Sequence, residues 1–149
     1  MVWNQLARSI NSDNWAPYNS NFISDTYENS IATVTWLQQK KGYQTSIYQK
    51  NNPIQTKGDI LYASYLINPS VDNLVWGIET GYRIGYYNET IPSNTWTRIS
   101  FRITSDRTLD NRIYIAYCNS QESSIQIGMT CQVKNPIQVN LTQMFGEGN

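Results

Sequence analysis

The stretch TWTRISFRIT, residues 95–104, decides the fold. Ile99, Phe101 and Ile103 fall on one side of an extended chain and Arg98, Ser100 and Arg102 on the other, because successive side chains of a strand point to opposite faces. One face is core and one is wet, as in an antiparallel sheet with a single buried side. The alternation returns in RIYIAYC, residues 112–118, with Ile113, Ile115 and Tyr117 expected inward. Period-two segments bounded by Asn, Ser, Gly and Pro fill most of the chain. They predict strands at about 4–9, 30–37, 43–50, 58–68, 73–79, 82–88, 95–104, 112–118 and 125–134, with a short extended piece near 136–141. Helical periodicity is nearly missing, so the expected class is an all-β sandwich or barrel.

Turns sharpen the pattern. QKKGY supplies one at Lys41-Gly42, and ETGY a tight hairpin at Thr80-Gly81. Around the second, the expected pairs are Glu79 with Tyr82, Ile78 with Arg83, Gly77 with Ile84, Trp76 with Gly85 and Val75 with Tyr86, which lays Trp76 across a bare glycine. Leu74, Trp76 and Ile78 are expected on the buried side, exposing Tyr82 and Tyr86 beside Glu79 and Asn88. Residues 11–29, rich in Asn, Ser and Asp, read as the longest irregular piece: an edge cover, or part of a binding rim holding Trp15 and Tyr18.

A length of 149 residues fits one domain, and neither a repeat nor a linker divides it. Eleven Lys and Arg against eleven Asp and Glu leave no basic field for nucleic acid or an anionic membrane. MVWNQLARSI lacks the basic start and apolar run of an export signal, and no run of 18 apolar residues offers insertion into a membrane. Histidine is absent, which excludes Ser-His-Asp and Cys-His catalysis and every zinc site needing imidazole. If the segments flanking NSQESS pair, Cys118 faces Ile125 and Cys131 faces Arg112. The two thiols are then expected to be free, with Cys131 inward among Ile127, Met129 and Val133. Eleven Tyr and five Trp against three Phe favour rings that carry a hydrogen-bonding group, suited to half-exposed faces or to the sheet core.

The chain closes on VKNPIQVNLTQMFGEGN, residues 133–149. Asn140 or Thr142 can cap a single turn that holds Met144 and Phe145 against the sandwich, and Gly146 can end it at positive φ. This ending resembles the closing motif of β-sandwich domains in tail and receptor-binding proteins of phages of Gram-positive bacteria, which are similar to carbohydrate-binding modules of the family 4/9 jelly-roll type. NQLARSINSDNW (4–15), GDILYASYLI (58–67) and NTWTRISFRIT (94–104) agree with that family in order. Trp96, Ser100, Phe101, Lys134, Asn135, Leu141, Thr142, Phe145, Gly146, Gly148 and Asn149 fall on its pattern. Asn140 stands where the family usually has Asp, so a structural calcium leaning on that carboxylate would lose a ligand, and no cofactor is expected. The family text continues past the final asparagine, so the resemblance implies a module cut from a longer tail protein.

Sugar recognition needs flat rings to stack on a pyranose and polar groups for its hydroxyls. Trp36, Tyr43 and Tyr48 flank one turn, and Trp76, Glu79, Tyr82, Arg83 and Tyr86 belong to the hairpin, so these eight are the candidate ligand-binding residues. Trp96, which leads a core strand, is expected to be structural. The resemblance implies a non-catalytic module on a virion, extracellular when acting, that attaches to host cell-wall polysaccharide beside other phage tail subunits. Other readings are a structural tail domain meeting its neighbours, a module appended to a secreted glycosidase, and a glycoside hydrolase with two carboxylates. In that last case Glu79, Glu89 and Asp59 sit in no motif.

Overall fold

The computed structural model describes residues 4–6, 9–39, 44–51, 53, 55–72, 74–108, 112–119 and 125–146. Ten strands form two antiparallel sheets packed face to face. Sheet A holds β1 (Trp15–Tyr18), β4 (Gln44–Gln49), β9 (Tyr114–Asn119), β6 (Trp76–Thr80) and β7 (Arg83–Tyr86), in that spatial order. Sheet B holds β2 (Ile23–Glu28), β3 (Ile31–Trp36), β10 (Thr130–Asn140), β5 (Ile60–Pro69) and β8 (Thr97–Thr104). A short helix, α1 (Leu141–Phe145), follows β10. The expected all-β antiparallel sandwich with a closing helical turn is what the chain forms.

The core between the sheets follows from the alternation. Ile99, Phe101 and Ile103 of β8 are buried, while Arg98, Ser100 and Arg102 are exposed. Leu74, Trp76 and Ile78 are buried as expected, and Trp36 and Trp76 meet edge to face at 5.7 Å between the layers. Two polar bonds tie the layers together. The Tyr65 hydroxyl of β5 donates to the Gly77 carbonyl of β6, and the Thr80 hydroxyl donates to the Gln138 side chain of β10 at 2.6 Å. Each removes a buried polar group that would otherwise oppose packing.

Several expectations are corrected. The stretch 11–29 is not irregular: it contains β1 and β2, edge strands of the two sheets. Edges tolerate Pro17 and many polar side chains, which hid the pattern. Residues 4–6 form no strand, although the Gln5 N–H donates to the Gln138 carbonyl at 2.7 Å. The segments read at 125–134 and 136–141 are one strand, β10, bent by a bulge between Lys134 and Ile137. Asn135 takes φ 52° there, and Pro136, which cannot donate, follows it. Residues 125–129 precede the strand, so Ile127 is 68% exposed rather than inward.

β9 does not pair with β10; it lies between β4 and β6 in the other sheet. The expected partners of Cys118 and Cys131 therefore do not occur, although, as expected, neither cysteine is in a disulfide, and both are buried in the core between the sheets. The hairpin register also differs. Thr80 faces Arg83, Glu79 faces Ile84, Ile78 faces Gly85 and Gly77 faces Tyr86. Gly81 and Tyr82 form the two-residue loop with φ 59° and 63°, the left-handed pair that matches strand twist. Ile78, not Trp76, lies across Gly85.

The closing turn is held by polar contacts rather than by its rings. Asn140 accepts from the Gln143 N–H at 3.1 Å, and the Gly146 N–H, at φ 85°, donates to the Thr142 carbonyl at 2.7 Å. Phe145 is 62% exposed and Met144 half-buried. The anchors are the Asn140 amide donating to Asp59 Oδ2 at 2.7 Å and the Thr142 hydroxyl accepting from the Ile60 N–H at 2.9 Å. An aspartate at 140 would set a carboxylate against Asp59, so the amide suits this chain. Trp96 is also not core: it is half-buried under the Lys134 ammonium, 4.2 Å from its ring centroid.

Candidate functional site

The face of sheet A turned away from the core is built from tyrosine. Pairing across its strands sets Ala16 beside Tyr48, Tyr48 beside Tyr114, Tyr114 beside Glu79 and Glu79 beside Ile84, a row that crosses all five strands. At strand spacing this row spans about 19 Å. A second row holds Tyr18 beside Ser46 and, across the bulges, Tyr117 and Tyr86 on either side of Gly77. The rings touch: Tyr18 and Tyr114 edge to face at 5.5 Å, Tyr48 and Tyr114 at 5.8 Å, Tyr86 and Tyr117 at 6.2 Å.

Two local devices produce this face. Ala116 at φ 51° interrupts the alternation of β9, so Tyr117 joins Tyr86 on the open face and Cys118 takes the core position. Strict period two placed Tyr117 inward; it is buried, but among the tyrosines. Gly77 provides the close approach beneath. A Cβ there would lie 2.3 Å from the Gly85 carbonyl oxygen and 3.0 Å from the Tyr86 ring.

An open groove of about 510 Å³ runs along the face, lined by Tyr18, Glu79, Tyr82, Arg83, Ile84, Asp106 and Tyr114. It continues into a recess of about 230 Å³ where Arg112 joins Glu79, Tyr82 and Tyr114. Tyr82 forms the end wall, 56% exposed, with the Arg107 guanidinium 3.6 Å over its ring. Its loop is pinned from behind, since the Asp106 N–H donates to the Gly81 carbonyl at 2.7 Å. Arg83 and Asp106 form a loose, exposed pair at 3.6 Å, and Arg112 lies 4.6 Å over the Tyr48 ring.

Electrostatically the centre is Glu79. It is half-buried, and among the described residues it has neither a hydrogen-bond partner nor an ion pair. Burial pushes its carboxyl above the usual glutamate value. Burial, then the Glu79 charge, also raises the Tyr114 phenol, against the opposing pull of Arg112. The same two causes raise Tyr117.

Of the eight candidates, Glu79, Tyr82 and Arg83 line the groove, and Tyr48 and Tyr86 share its face. Trp36 and Trp76 are corrected: each is 1% exposed and packed in the core, where no ligand ring can stack on it. Tyr43 lies outside the described residues. Sequence reasoning missed Ile84, Asp106, Arg112, Tyr114 and Tyr117, and offered Tyr18 only as part of a rim beside Trp15. Tyr114 had a signal, since it alternates outward between Ile113 and Ile115. Tyr18 was hidden in a stretch not read as strand.

No family model and no curated protein matches the sequence. Among solved structures, the fold is similar to the N-terminal cellulose-binding domain of β-1,4-glucanase C from Cellulomonas fimi, at 12% identity and TM-score 0.60 over 94% of this chain and 97% of that one. The ligand-free CBM1 of BiXyn10A matches at 11% identity and TM-score 0.58, over 93% and 88% of the two chains. The enzymatically active domain of tailspike protein 4 from bacteriophage CBA120 matches at 13% identity and TM-score 0.60, over 93% of this chain and 21% of that one. At such identities the likeness is one of fold: this is a β-sandwich of the kind found in carbohydrate-binding modules.

Proposed function

We propose that this protein is a non-catalytic carbohydrate-binding module that lays a saccharide chain across the tyrosine row of sheet A. The observation that carries the reading is the open row itself, with phenol rings from β1, β4 and β9 meeting an unpartnered carboxylate on β6. Pyranose rings present apolar C–H faces and a rim of hydroxyls, so a ligand of this kind uses both features. The fold shared with a cellulose-binding domain is further support. Affinity electrophoresis through gels containing soluble β-glucan, xylan or extracted bacterial wall polysaccharide is the test. Retardation by at least one polymer is expected, with Tyr114→Ala weakening it by roughly thirtyfold, as for a central hot spot, while far-UV circular dichroism stays unchanged. Migration unaffected by every polymer would overturn the reading.

The setting we propose is a bacteriophage tail, where the module attaches the virion to host cell-wall polysaccharide beside other tail subunits, outside the cell. Support comes from the resemblance of residues 133–149 to phage tail domains; the same fold also occurs within the enzymatically active domain of a phage tailspike, where it accounts for 21% of that chain. Many weak copies on one virion would then act together. A fluorescent fusion should label host cells and be displaced by free wall polysaccharide. A second reading, a module appended to a secreted glycoside hydrolase, is favoured by the fold match to a glucanase domain. Retention by plant β-glucan without cell labelling would select it. Release of reducing ends from any bound polymer would contradict the non-catalytic assignment.

A further inference from the structure

The groove contains charges of both signs, but they lie at different depths. Arg83 is held beside Asp106 at the rim, and its side chain is 57% exposed. Arg107 covers the Tyr82 ring, and Arg112 covers the Tyr48 ring and lines the recess with Tyr114. Glu79 alone lies half-buried in the middle of the row. The groups facing it from β9, Tyr114 and Tyr117, are phenols, as are Tyr86 from β7 and Tyr18 from β1. None of these is a cation, and Arg112, which shares the recess with Glu79, stands over the Tyr48 ring and forms no salt bridge with Glu79 among the described residues. Water and salt screen the exposed guanidinium groups at the rim more than the half-buried carboxylate, so a ligand in contact with the middle of the row meets the Glu79 carboxylate as its nearest charge.

We propose that Glu79 sets which saccharides the groove admits, accepting hydrogen bonds from hydroxyl- or ammonium-bearing sugars and rejecting those that carry carboxylate or other anionic groups. This rests on the saccharide-binding reading and adds the charge class of the ligand. A sugar hydroxyl or ammonium directed at Glu79 makes a charge-assisted bond, stronger than a neutral one. A uronate set against it brings two like charges together in a half-dry groove, which selects against that partner.

The experiment is a calorimetric titration of the wild-type chain and of Glu79→Gln with two pairs of polymers matched in backbone. One pair is hydroxyethyl cellulose and carboxymethyl cellulose, the other glycol chitin and glycol chitosan, each at about pH 6 and moderate salt, where the chitosan amines are substantially protonated and the carboxymethyl groups ionised. Wild type is expected to prefer the uncharged or cationic member over the anionic one by roughly tenfold or more. Glu79→Gln, nearly isosteric, should bring the carboxymethyl polymer to within about threefold of its neutral partner. It should also remove any preference for glycol chitosan over glycol chitin. An unchanged anionic-to-neutral ratio in the variant, or wild-type preference for the carboxymethyl polymer, would sink the assignment of Glu79 while leaving saccharide binding intact. Absence of binding to all four polymers by the wild type would remove this inference, and together with unaffected migration in every polymer gel it would remove the function it rests on.

Discussion

The two outer faces of this sandwich are made from similar residues and treat them differently. On sheet B most polar side chains pair with one another, although the buried Asn68 Oδ1 lacks a partner among the described residues and a smaller groove of about 320 Å³ lies beside Thr33 and Gln132. Arg98 donates to the Ser64 hydroxyl at 2.9 Å, Tyr62 and Ser100 share a bond at 3.0 Å, and Gln132 joins Asn68 and Thr33 at 3.4 and 3.5 Å. On sheet A the rings gather, a groove opens, and both the Glu79 carboxylate and the buried Tyr117 hydroxyl lack a partner among the described residues. A face that satisfies its own polar groups gives a ligand little to gain. A face that leaves a carboxylate unused, with rings already ordered, has paid much of the ordering entropy in advance. Positive φ at non-glycine residues occurs in both sheets, at Asn29, Ser30 and Asn135 of sheet B and its hairpin and at Tyr82 and Ala116 of sheet A and its hairpin, but sheet A alone places a tyrosine and an alanine there, which tolerate it less well than asparagine does.

The comparison breaks most sharply underneath the open face. Trp76→Ala empties the space against Trp36 in the shared core and should cost about 3–5 kcal/mol in urea unfolding. A loss below about 1 kcal/mol would mean the core does not depend on this pair. Gly77→Ala acts one layer higher. Its new methyl would meet the Gly85 carbonyl, which is backbone and yields little, so about 1–3 kcal/mol should be lost, along with the seating of Tyr86. Tyr82→Asn sharpens the contrast in the other direction. Asparagine tolerates the left-handed conformation, and relief of about 1 kcal/mol exceeds the ring–guanidinium attraction lost with Arg107. The variant should be about 0.5 kcal/mol more stable and bind saccharide several-fold more weakly, as melting and titration together would reveal.

How far the sequence revealed each region follows the same physics. Period-two alternation is enforced by burial, so β8, with Ile99, Phe101 and Ile103, was legible from its residues alone, as was the buried line Leu74, Trp76 and Ile78. The hairpin at Gly81 was visible, but its register depended on which two residues turn, and a tyrosine in a left-handed position is not a signal that composition offers. Strands β1 and β2 were invisible because edge strands need fewer apolar residues. In the site, Glu79, Tyr82 and Arg83 came from their closeness to one turn. Tyr18 and Tyr114 meet only through the β1-β4-β9 pairing, a contact between distant parts of the chain that local patterns do not encode. Trp36 and Trp76 were misjudged because ring size suits stacking and burial equally well.

The smallest effect tests whether Glu79 is kept at a cost to the fold. Its carboxyl is raised above the ordinary value of 4.5 by burial, so the folded protein holds this proton more tightly than the unfolded chain does. Folding is therefore helped by the group below its ordinary value, and the help is lost as pH rises through the elevated one. Glu79→Gln cannot ionise and keeps the same shape. Its stability relative to wild type should be unchanged near pH 3 and should become more favourable as pH climbs through the carboxylate range, with the gain complete by neutrality. Because Glu79 is only half-buried, solvent screens much of this difference, and the gain should be the least of those considered. Chemical unfolding of both proteins across that range measures it, with the other carboxylates cancelling between the pair. A variant less stable than wild type at neutral pH would mean that the charged form of Glu79 is held by the fold, and that the open face satisfies its polar groups as fully as sheet B does.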